Sequence, residues 1–348
     1  PYEASWQRFI EHPNKALSNT RWQTGLDLNY AFTPQIRVGG IAEYRVRERT
    51  HREVEKDTET LLGGRVRLRP VEGLSVAGLY TRGDRQADAF HTDDYIGLKT
   101  RLATGSTPGL YDSLGLIEQP GLRRFDVADR VQDRATADVS YAFGERLELS
   151  ANYAFLRNDF SSDTTLGLQE DRMHTVASAA TVHVNDRLDL TGGYGLGKGR
   201  TFQRSRTSPQ VMTFRPDSNW TAKIDEKEVF VFAGVDWAPR DRVSLGIDYQ
   251  FSQNVSDYDL ENGRLSAVDL PSTIFRRHET MLDARWRWLE NTSIVGRWGW
   301  EEYDINDFAS NSVPLIFPVT GTSNAIFLGD SSQSYKAHRL ALLVKHNF

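Results

Sequence analysis

The sequence predicts an all-β protein, a transmembrane antiparallel up-and-down β-barrel of about 13–14 strands, and three observations lead to this fold class. Apolar and polar side chains alternate with a period of two in about 13 segments. Short turns alternate with long polar loops along the chain. The last segment, His338 to Phe348, alternates in the same way and stops at an aromatic residue, as expected for the closing strand and assembly signal of an outer-membrane barrel.

Each predicted strand has one apolar face and one polar or small-residue face. A repeated unit begins with Arg-Leu-x-Leu or Arg-Val-x-Leu after a short turn and closes on an aromatic residue at Tyr153, Tyr194 and Tyr249. In order, the strands are predicted at 22–32, 36–46, 62–68, 73–80, 137–143, 146–153, 176–184, 187–194, 229–237, 242–249, 282–288, 294–300 and 338–348. A β-propeller has a similar repeat length, but each blade needs four strands where this sequence supplies two.

Two kinds of connection separate these strands. Short turns are typical of the periplasmic side of bacterial outer-membrane barrels, and long loops are typical of the exterior. We therefore predict one barrel domain over 1–348 in the bacterial outer membrane, with a periplasmic C-terminus. The long extracellular loops are predicted at about 48–60, 84–133, 157–171, 198–226, 253–277 and 303–334.

The composition limits the chemistry of the chain. Its 348 residues include no Cys, which excludes disulfides, thiolate metal sites and the covalent attachment of c-type haem, so any haem c belongs to a partner. The mean hydropathy of −0.52 is compatible with a barrel, because only alternate residues face lipid. A net charge of −5 argues against nucleic acid as a partner.

The strand count affects the size of the barrel. Single-chain bacterial barrels have even strand numbers, so we expect either a missed strand, with 95–102 as the best position, or further strands upstream of this sequence. A barrel of about 14 strands is on the order of 27 Å across, which suits water and small solutes. A lumen that holds a folded protein needs on the order of 20 or more strands.

Two sets of side chains are predicted to carry the function of the barrel. The lumen-facing candidates are Arg37, Arg45, Arg65, Arg67, Asp236, Asp248, Arg285, Arg287 and Arg297. The girdle and assembly-signal candidates are Trp22, Tyr80, Tyr153, Trp237, Tyr249, Trp298, Trp300 and Phe348. Mixed charge on the inner side fits either a water-filled pore or a polar seat for a protein plug. If the strands instead formed a soluble sandwich, the arginines would lie on a solvated face.

No motif for catalysis, cofactor binding or metal binding is convincing. The glycine-rich stretch 193–200 lacks the Lys-Ser/Thr ending of a phosphate loop and follows a strand instead of opening a helix. The acidic stretch 257–263 has its glycine one place late for a calcium loop. The His residues are dispersed, so we predict no enzyme activity and no catalytic, cofactor or metal site.

Several stretches together resemble the MtrB/PioB family of decahaem-associated outer-membrane β-barrel proteins. They are 49–59 followed by 67–76, the segment 124–130, the repeated unit described above, and Trp300-Glu-Glu-Tyr303 before a long loop. The resemblance covers most of the chain. Family members are usually much longer, and some carry Cys near their start, which this chain lacks.

The resemblance implies a sheath that performs no chemistry. It implies a barrel in outer-membrane lipid that encloses and insulates a multihaem c-type cytochrome, periplasmic or inserted in the barrel, in some members with an additional surface cytochrome. The alternative is a stand-alone porin for passive solute diffusion, and a third class is an adhesin that acts through its loops.

Overall fold

The computed structural model describes residues 18–50, 54–89, 122–160, 166–206, 219–262, 270–307 and 334–346. These residues form one β-sheet of 14 strands, of which 13 are long and antiparallel and one, β5, has two residues. The strands are β1 (Asn19–Ala31), β2 (Ile36–Arg49), β3 (Lys56–Leu68), β4 (Leu74–Ala87), β5 (Leu122–Arg123), β6 (Arg130–Phe143), β7 (Leu147–Asp159), β8 (Leu166–Asn185), β9 (Leu188–Arg206), β10 (Asn219–Arg240), β11 (Val243–Asn262), β12 (Thr273–Leu289), β13 (Thr292–Asn306) and β14 (Tyr335–His346).

Each long strand pairs with the long strand that follows it in the sequence, so the topology is an uninterrupted meander from β1 to β14. The predicted all-β, up-and-down architecture is therefore confirmed, and each of the 13 predicted strands overlaps one of the long strands. Phe348 and the possible extra strand at 95–102 lie outside the described residues. Within the described residues β1 and β14 each have one neighbour, so each keeps one free edge.

The strands on the long-loop side extend further than the alternation predicts. β8 to β11 have 20, 19, 22 and 20 residues and run into the predicted loops 157–171, 198–226 and 253–277. The loop predictions were too wide here, because apolar alternation stops where lipid stops, whereas the backbone ladder continues. Cross-strand ion pairs replace the lipid-facing side chains there, with Arg200 to Asp225 at 2.6 Å and Lys227 to Asp257 at 3.0 Å.

Glycines shape two of the short turns. Gly73 and Gly144 have φ angles of +80° and +61°, a region that side chains with a Cβ rarely adopt. At Gly73 a Cβ would also lie 2.5 Å from the carbonyl oxygen of Ala142. These turns join β3 to β4 and β6 to β7, and they hold the strands in register at the turn end of the sheet.

Strand pairing separates the side chains into two faces. On the outer face an aliphatic residue usually opposes another apolar residue, as Val231 opposes Tyr194 on β9 and Phe251 on β11. Arg, Asp, Glu, Ser and Gly dominate the opposite face, which we call the inner wall. No helix in the described ranges is long and apolar enough to cross a membrane.

The sheet has no central core. The buried apolar side chains of the described residues are Val54, Val127, Ala128, Phe160 and Leu166, and they gather at the loop end. There β5 pairs in parallel with the start of β8, so residues 122–129 run across the inner wall. We call residues 122–129 the strap. Most of the other apolar side chains lie on the outer face, and many of them are exposed, as expected for a shell that lipid surrounds.

Candidate functional site: the inner wall

The register places all nine predicted lumen-facing residues on the inner wall. Arg37 opposes Arg67, Arg45 opposes Glu59, and Arg65 opposes Gly39 in the pairing of β2 with β3. On the other half of the sheet, Asp236 opposes Gly246 and Asp248 opposes Gly234. The three remaining arginines, on β12 and β13, share this face: Arg285, Arg287 and Arg297. Their individual roles remain predictions.

A basic group lies at the turn end of β2 and β3. Arg65 makes an ion pair with Asp27 of β1. Arg37 and Arg67 face each other directly and are exposed, an arrangement that like charges disfavour. Among the described residues neither of these two guanidinium groups has an ion pair. They therefore present uncompensated positive charge to the space beside the wall.

An acidic group lies at the turn end of β9 to β12. Asp236, Asp248 and Asp283 lie around Gly246 and line a depression of about 360 Å³ together with Asp189. Asp283 accepts a bond of 2.7 Å from Nε of Arg297, and Asp189 lies 2.7 Å from Nδ1 of His183. In the part of the chain that the structure describes, Asp236 and Asp248 have no such counterion. The two groups of like charge thus occupy separate sectors of the wall.

Small side chains form the wall between these two sectors. Two adjacent cross-strand rows run over β4, β6, β7 and β8, and most of their members are Ser or Ala. The first row is Ser75, Ser140, Ser150 and Ala179, and the second is Ala77, Asp138, Asn152 and Ala177. They line a depression of about 250 Å³ that Phe232 closes on one side. The amide of Asn152 donates a hydrogen bond to Asp138 in its floor.

The glycine-rich stretch 193–199 has a structural explanation that the sequence did not provide. It lies on β9, where Gly193 opposes Phe232 and Gly195 opposes Phe230 of β10. The two phenyl rings lie so close over these glycines that an added Cβ would come within 2.2 Å of Phe232 Cζ and 2.1 Å of Phe230 Cζ. An aromatic residue covering a strand glycine is a known way to fix register. The pattern of alternate glycines opposite alternate phenylalanines could have indicated it.

Hydrogen bonds from two arginines to backbone carbonyls fix the strap at the loop end. The buried guanidinium of Arg85 donates to the carbonyl oxygens of Ala128 at 2.9 Å and Phe125 at 2.6 Å. Arg49 donates to the carbonyl of Asp126 at 3.0 Å and pairs with Asp57 at 2.6 Å. Burial, helped by the positive charge of Arg130, lowers the pKa of Arg85 to about 10, so Arg85 remains charged at neutral pH.

Glu59 is the carboxylate at the centre of this network. It accepts hydrogen bonds from Arg130 and Arg45, and it is only 6% exposed. Burial alone would raise the pKa of Glu59. The hydrogen bond from Arg130 and the charges of Arg130, Arg45 and Arg85 outweigh that effect and leave the pKa lowered. Glu59 is therefore ionised at neutral pH and holds Arg45 and Arg130 together beside the strap.

The aromatic candidates lie on the outer face. Their side chains are partly or fully exposed, and each that lies among the described residues points away from the inner wall: Trp22, Tyr80, Tyr153, Trp237, Tyr249, Trp298 and Trp300. Sequence reasoning missed that two of them recur as pairs with histidine. The hydroxyls of Tyr153 and Tyr249 lie 2.9 Å from Nδ1 of His174 and of His278.

On β10 an aromatic residue marks the turn end of the apolar outer face. On β10 the outward side chains run from Trp237 through valines to Val229, after which Lys227 and Asp225 begin. Eight residues of tilted strand between Trp237 and Val229 span roughly 20 Å of membrane, close to the height of an apolar band in such barrels. Their function as interfacial anchors remains a prediction.

The acidic residues and histidines of the inner wall are dispersed over several strands. Within the described ranges no three His, Asp or Glu side chains are grouped so that they could hold a metal ion. Asp257, which begins the acidic stretch considered as a calcium loop, lies on β11 and contacts Lys227 and Ser272. The inner wall carries fixed charge, small side chains and several apolar side chains such as Phe230, Phe232 and Val295.

Comparison with known proteins agrees with this architecture. Residues 4–348 match the family model for the outer-membrane beta-barrel porin MtrB/PioB. The outer membrane protein MtrB of Shewanella baltica is 22% identical over 337 residues, which cover 96% of this chain and 44% of that protein. The chain therefore spans less than half the length of that relative.

Solved structures share the fold at low sequence identity. The closed form of the ferric-catecholate import receptor Fiu from E. coli superimposes with a TM-score of 0.56 and 11% identity, over 95% of this chain and 55% of that chain. The ferric yersiniabactin uptake receptor FyuA from Yersinia pestis has a TM-score of 0.49 and 12% identity, over 83% of this chain and 53% of that chain.

Proposed function

Because this chain belongs to the MtrB/PioB family of outer-membrane β-barrel porins, we propose that it forms part of a sheath around a multihaem c-type cytochrome. In this proposal the cytochrome carries electrons across the outer membrane, and the barrel insulates and positions it. The C-terminus faces the periplasm, and the long loops face outward, where a surface cytochrome can meet the enclosed one. The chain itself binds no haem covalently, since it has no Cys.

The observation that carries the proposal is the open meander. Thirteen long strands leave β1 and β14 unpaired with each other, so the ring to which they belong contains more than 13 strands. In lipid every backbone polar group needs a partner within the protein, which rules out two permanently free edges. β1 and β14 run in the same direction, because 13 is odd. Antiparallel closure through them therefore requires an odd number of further strands.

A wider ring changes what the lumen can hold. A 14-stranded barrel is on the order of 27 Å across before side chains are subtracted, and the diameter grows about linearly with strand number. The superposition on Fiu covers 55% of that chain, so the arc of this sheet fits as one part of a larger barrel. Barrels of about 22 strands hold a folded plug. This supports a protein occupant over small solutes.

The inner wall supports the same conclusion. Its fixed charges suit a wetted protein surface, and the described residues include no group of three His, Asp or Glu side chains that could hold a metal ion. The apolar outer face and the surrounding lipid separate the enclosed cofactors from the membrane phase. Electron transfer would then depend on the partner's cofactors alone, with the wall setting their position.

One observation favours the stand-alone porin as second candidate. Arg37 and Arg67 lie in a different sector of the wall from Asp236 and Asp248, and opposite charges of this kind would create a field across a water-filled lumen. The strap, fixed by Arg49 and Arg85, would narrow such a pore at its loop end.

Purification of the full-length barrel from its native outer membrane distinguishes the two functions. A sheath is expected to bring a haem-staining cytochrome in stoichiometric amount and to conduct few ions in a planar bilayer. A porin is expected to be colourless and to conduct. Recovery of a haem-free, conducting barrel under mild detergent would overturn the sheath. A colourless barrel that does not conduct would point to the adhesin class instead.

A further inference from the structure

The two rows of small side chains on β4, β6, β7 and β8 form a trough, and we propose that an extended surface segment of the enclosed protein lies in it. This inference rests on the proposed sheath function and specifies where the wall and its occupant are in closest contact. The occupant segment carries a carboxylate at one end of the trough and an apolar side chain at the other.

The dimensions of the trough follow from the strand register. Four neighbouring strands contribute, so the trough is about 15 Å long at a strand spacing of about 4.8 Å. Its two rows are about 7 Å apart along the strands. Ser150 and Ala179 oppose each other in one row, and Ala77 and Ala177 belong to the other. A single extended peptide segment fits a floor of this width.

Side-chain length sets the trough apart from the rest of the wall. Ser and Ala project only one or two atoms from the backbone. The wall above the trough carries long side chains such as Glu59 and Arg130, and a second group of long charged side chains surrounds Glu301 on β13. A protein surface facing the inner wall can therefore approach several ångström closer here. Small residues at a strand surface are typical of places where another backbone comes close.

The two ends of the trough define the chemistry of the segment. Across the strands, the row that contains Ala77 continues to Arg67 and then Arg37. Both guanidinium groups lack an ion pair among the described residues, and they oppose each other unfavourably. A carboxylate placed between them would relieve that repulsion. This charge complementarity, and not the small floor alone, indicates an acidic end on the occupant.

The opposite end is apolar. The same row passes through Ala177 and Gly195 to Phe230, and the neighbouring row ends at Phe232. Their rings lie against the glycines of β9, where a Cβ on Gly193 or Gly195 would come within 2.2 Å or 2.1 Å of a ring atom. The two half-buried rings form an apolar surface at this end of the trough. They match an apolar side chain of a protein that excludes water from this contact.

Bulky substitutions test the trough in the full-length barrel with its cytochrome. Ser150→Trp and Ala177→Trp each fill the floor, and Ser244→Trp makes a similar change on the inner wall outside it. Insertion of each variant is first confirmed by its heat-modifiable gel mobility. The amount of haem per barrel is then measured in the purified complex. We expect at least a tenfold loss for the two trough variants and wild-type content for Ser244→Trp. Equal haem content in all three inserted variants would overturn the trough.

Single-cysteine variants keep the test valid if a tryptophan variant fails to insert. The chain has no Cys, so Ser150→Cys, Ala177→Cys and Ser244→Cys each provide one reactive thiol. A short thiol-to-amine crosslinker is expected to join the cytochrome to the two trough positions in higher yield than to Ser244→Cys. Equal yields, or none at the trough, would overturn the inference.

The charged end is tested separately. Arg37→Gln together with Arg67→Gln is expected to weaken retention of the cytochrome severalfold at low salt and to reduce its dependence on salt. An unchanged salt dependence would contradict the proposed carboxylate at one end of the occupant segment. If the unmodified barrel retains no cytochrome at all, the sheath function itself fails. If every trough variant retains the cytochrome, only the proposed contact at the trough is refuted.

Discussion

At the scale of single residues, the most constrained positions of this wall are the glycines beneath the phenylalanines. Gly193 is surrounded by the ring of Phe232 and the carbonyl oxygen of Ser178, which a Cβ would approach to 2.2 and 2.7 Å. Gly192, its neighbour on the outer face, would bring a Cβ no closer than 3.8 Å to any atom. Adjacent glycines thus differ sharply in what they tolerate.

Gly193→Ala is expected to destabilise the barrel by about 1–3 kcal/mol, because the ring of Phe232 must leave its site or the strands must separate. Gly192→Ala is the matched control and should change stability little. Urea midpoints of the refolded barrel in lipid measure both. In the double variant Gly193→Ala with Phe232→Ala, the two costs should be clearly non-additive. Simple additivity would contradict a direct contact between ring and glycine.

The stability of the strap is expected to depend on pH through Glu59. The pKa of Glu59 is lowered in the folded protein, so its stabilising contribution is complete above the unfolded value of about 4.3 and decreases as the pH falls toward the folded value. We expect the amides of Val127 and Ala128 to exchange hydrogen faster as the pH is lowered through this window, after correction for intrinsic rates. Mass spectrometry of the strap peptide measures this.

Glu59→Gln should release the strap at neutral pH as well, since it leaves Arg130, which follows the strap directly, and Arg45 without their shared carboxylate, at a cost on the order of 3 kcal/mol. Glu43→Gln is the control, because Glu43 pairs with Arg45 at a more exposed position. A strap that exchanges equally in the wild type and Glu59→Gln across the whole pH range would show that Glu59 does not hold it.

At the scale of strands, the alternation of apolar and polar residues predicted the apolar part of each strand. It did not predict how far the strands continue beyond that part. Val229 to Trp237 alternates clearly, and the structure has a strand there. The same strand continues back to Asn219 through Lys223, Asp225 and Lys227, where charged residues replace the apolar ones of β10 on the outer face. Their cross-strand ion pairs depend on register with β9 and β11, which the sequence of β10 alone does not contain.

The candidate residues show the same division. The alternation of apolar and polar residues was sufficient to place Arg37 and Asp236 on one face and Trp237 on the other, because a strand has only two faces. It was not sufficient to find the strap contacts of Arg85 or the pairing of Tyr153 with His174. These depend on which strands are neighbours and on a loop that returns over the wall.

A charge on the lipid face of β10 tests the assignment of the two faces. Val231→Arg is expected to destabilise the inserted barrel by about 2–4 kcal/mol, since the side chain would lie near the middle of the apolar band. Ser252→Arg, one strand away on the inner wall, should cost less than about 1 kcal/mol because it faces the lumen. Unfolding midpoints in phospholipid vesicles compare them. Equal costs would contradict the assignment.

At the scale of the whole molecule, the size of the ring decides the function. The sequence predicted 13 strands, an odd number that requires either a missed strand, with 95–102 as the best position, or further strands upstream. The described residues contain 13 long strands with two free edges. How many strands complete the ring could not be predicted, since that number depends on residues outside the described sheet. The chain covers 44% of the length of the MtrB relative.

Disulfide trapping across the free edges tests the wider ring directly. If β1 and β14 are separated by further strands, Leu28→Cys with Leu342→Cys cannot form a bond, because the two Cα atoms must come within about 7 Å. Leu28→Cys with Gly40→Cys is the positive control, since these positions oppose each other and a Cβ at Gly40 meets nothing within 4 Å. Both pairs are oxidised in the full-length barrel and compared by gel mobility. An intramolecular bond in the first pair would mean that 13 strands close on themselves through a parallel seam, and the lumen would then be too narrow for a cytochrome.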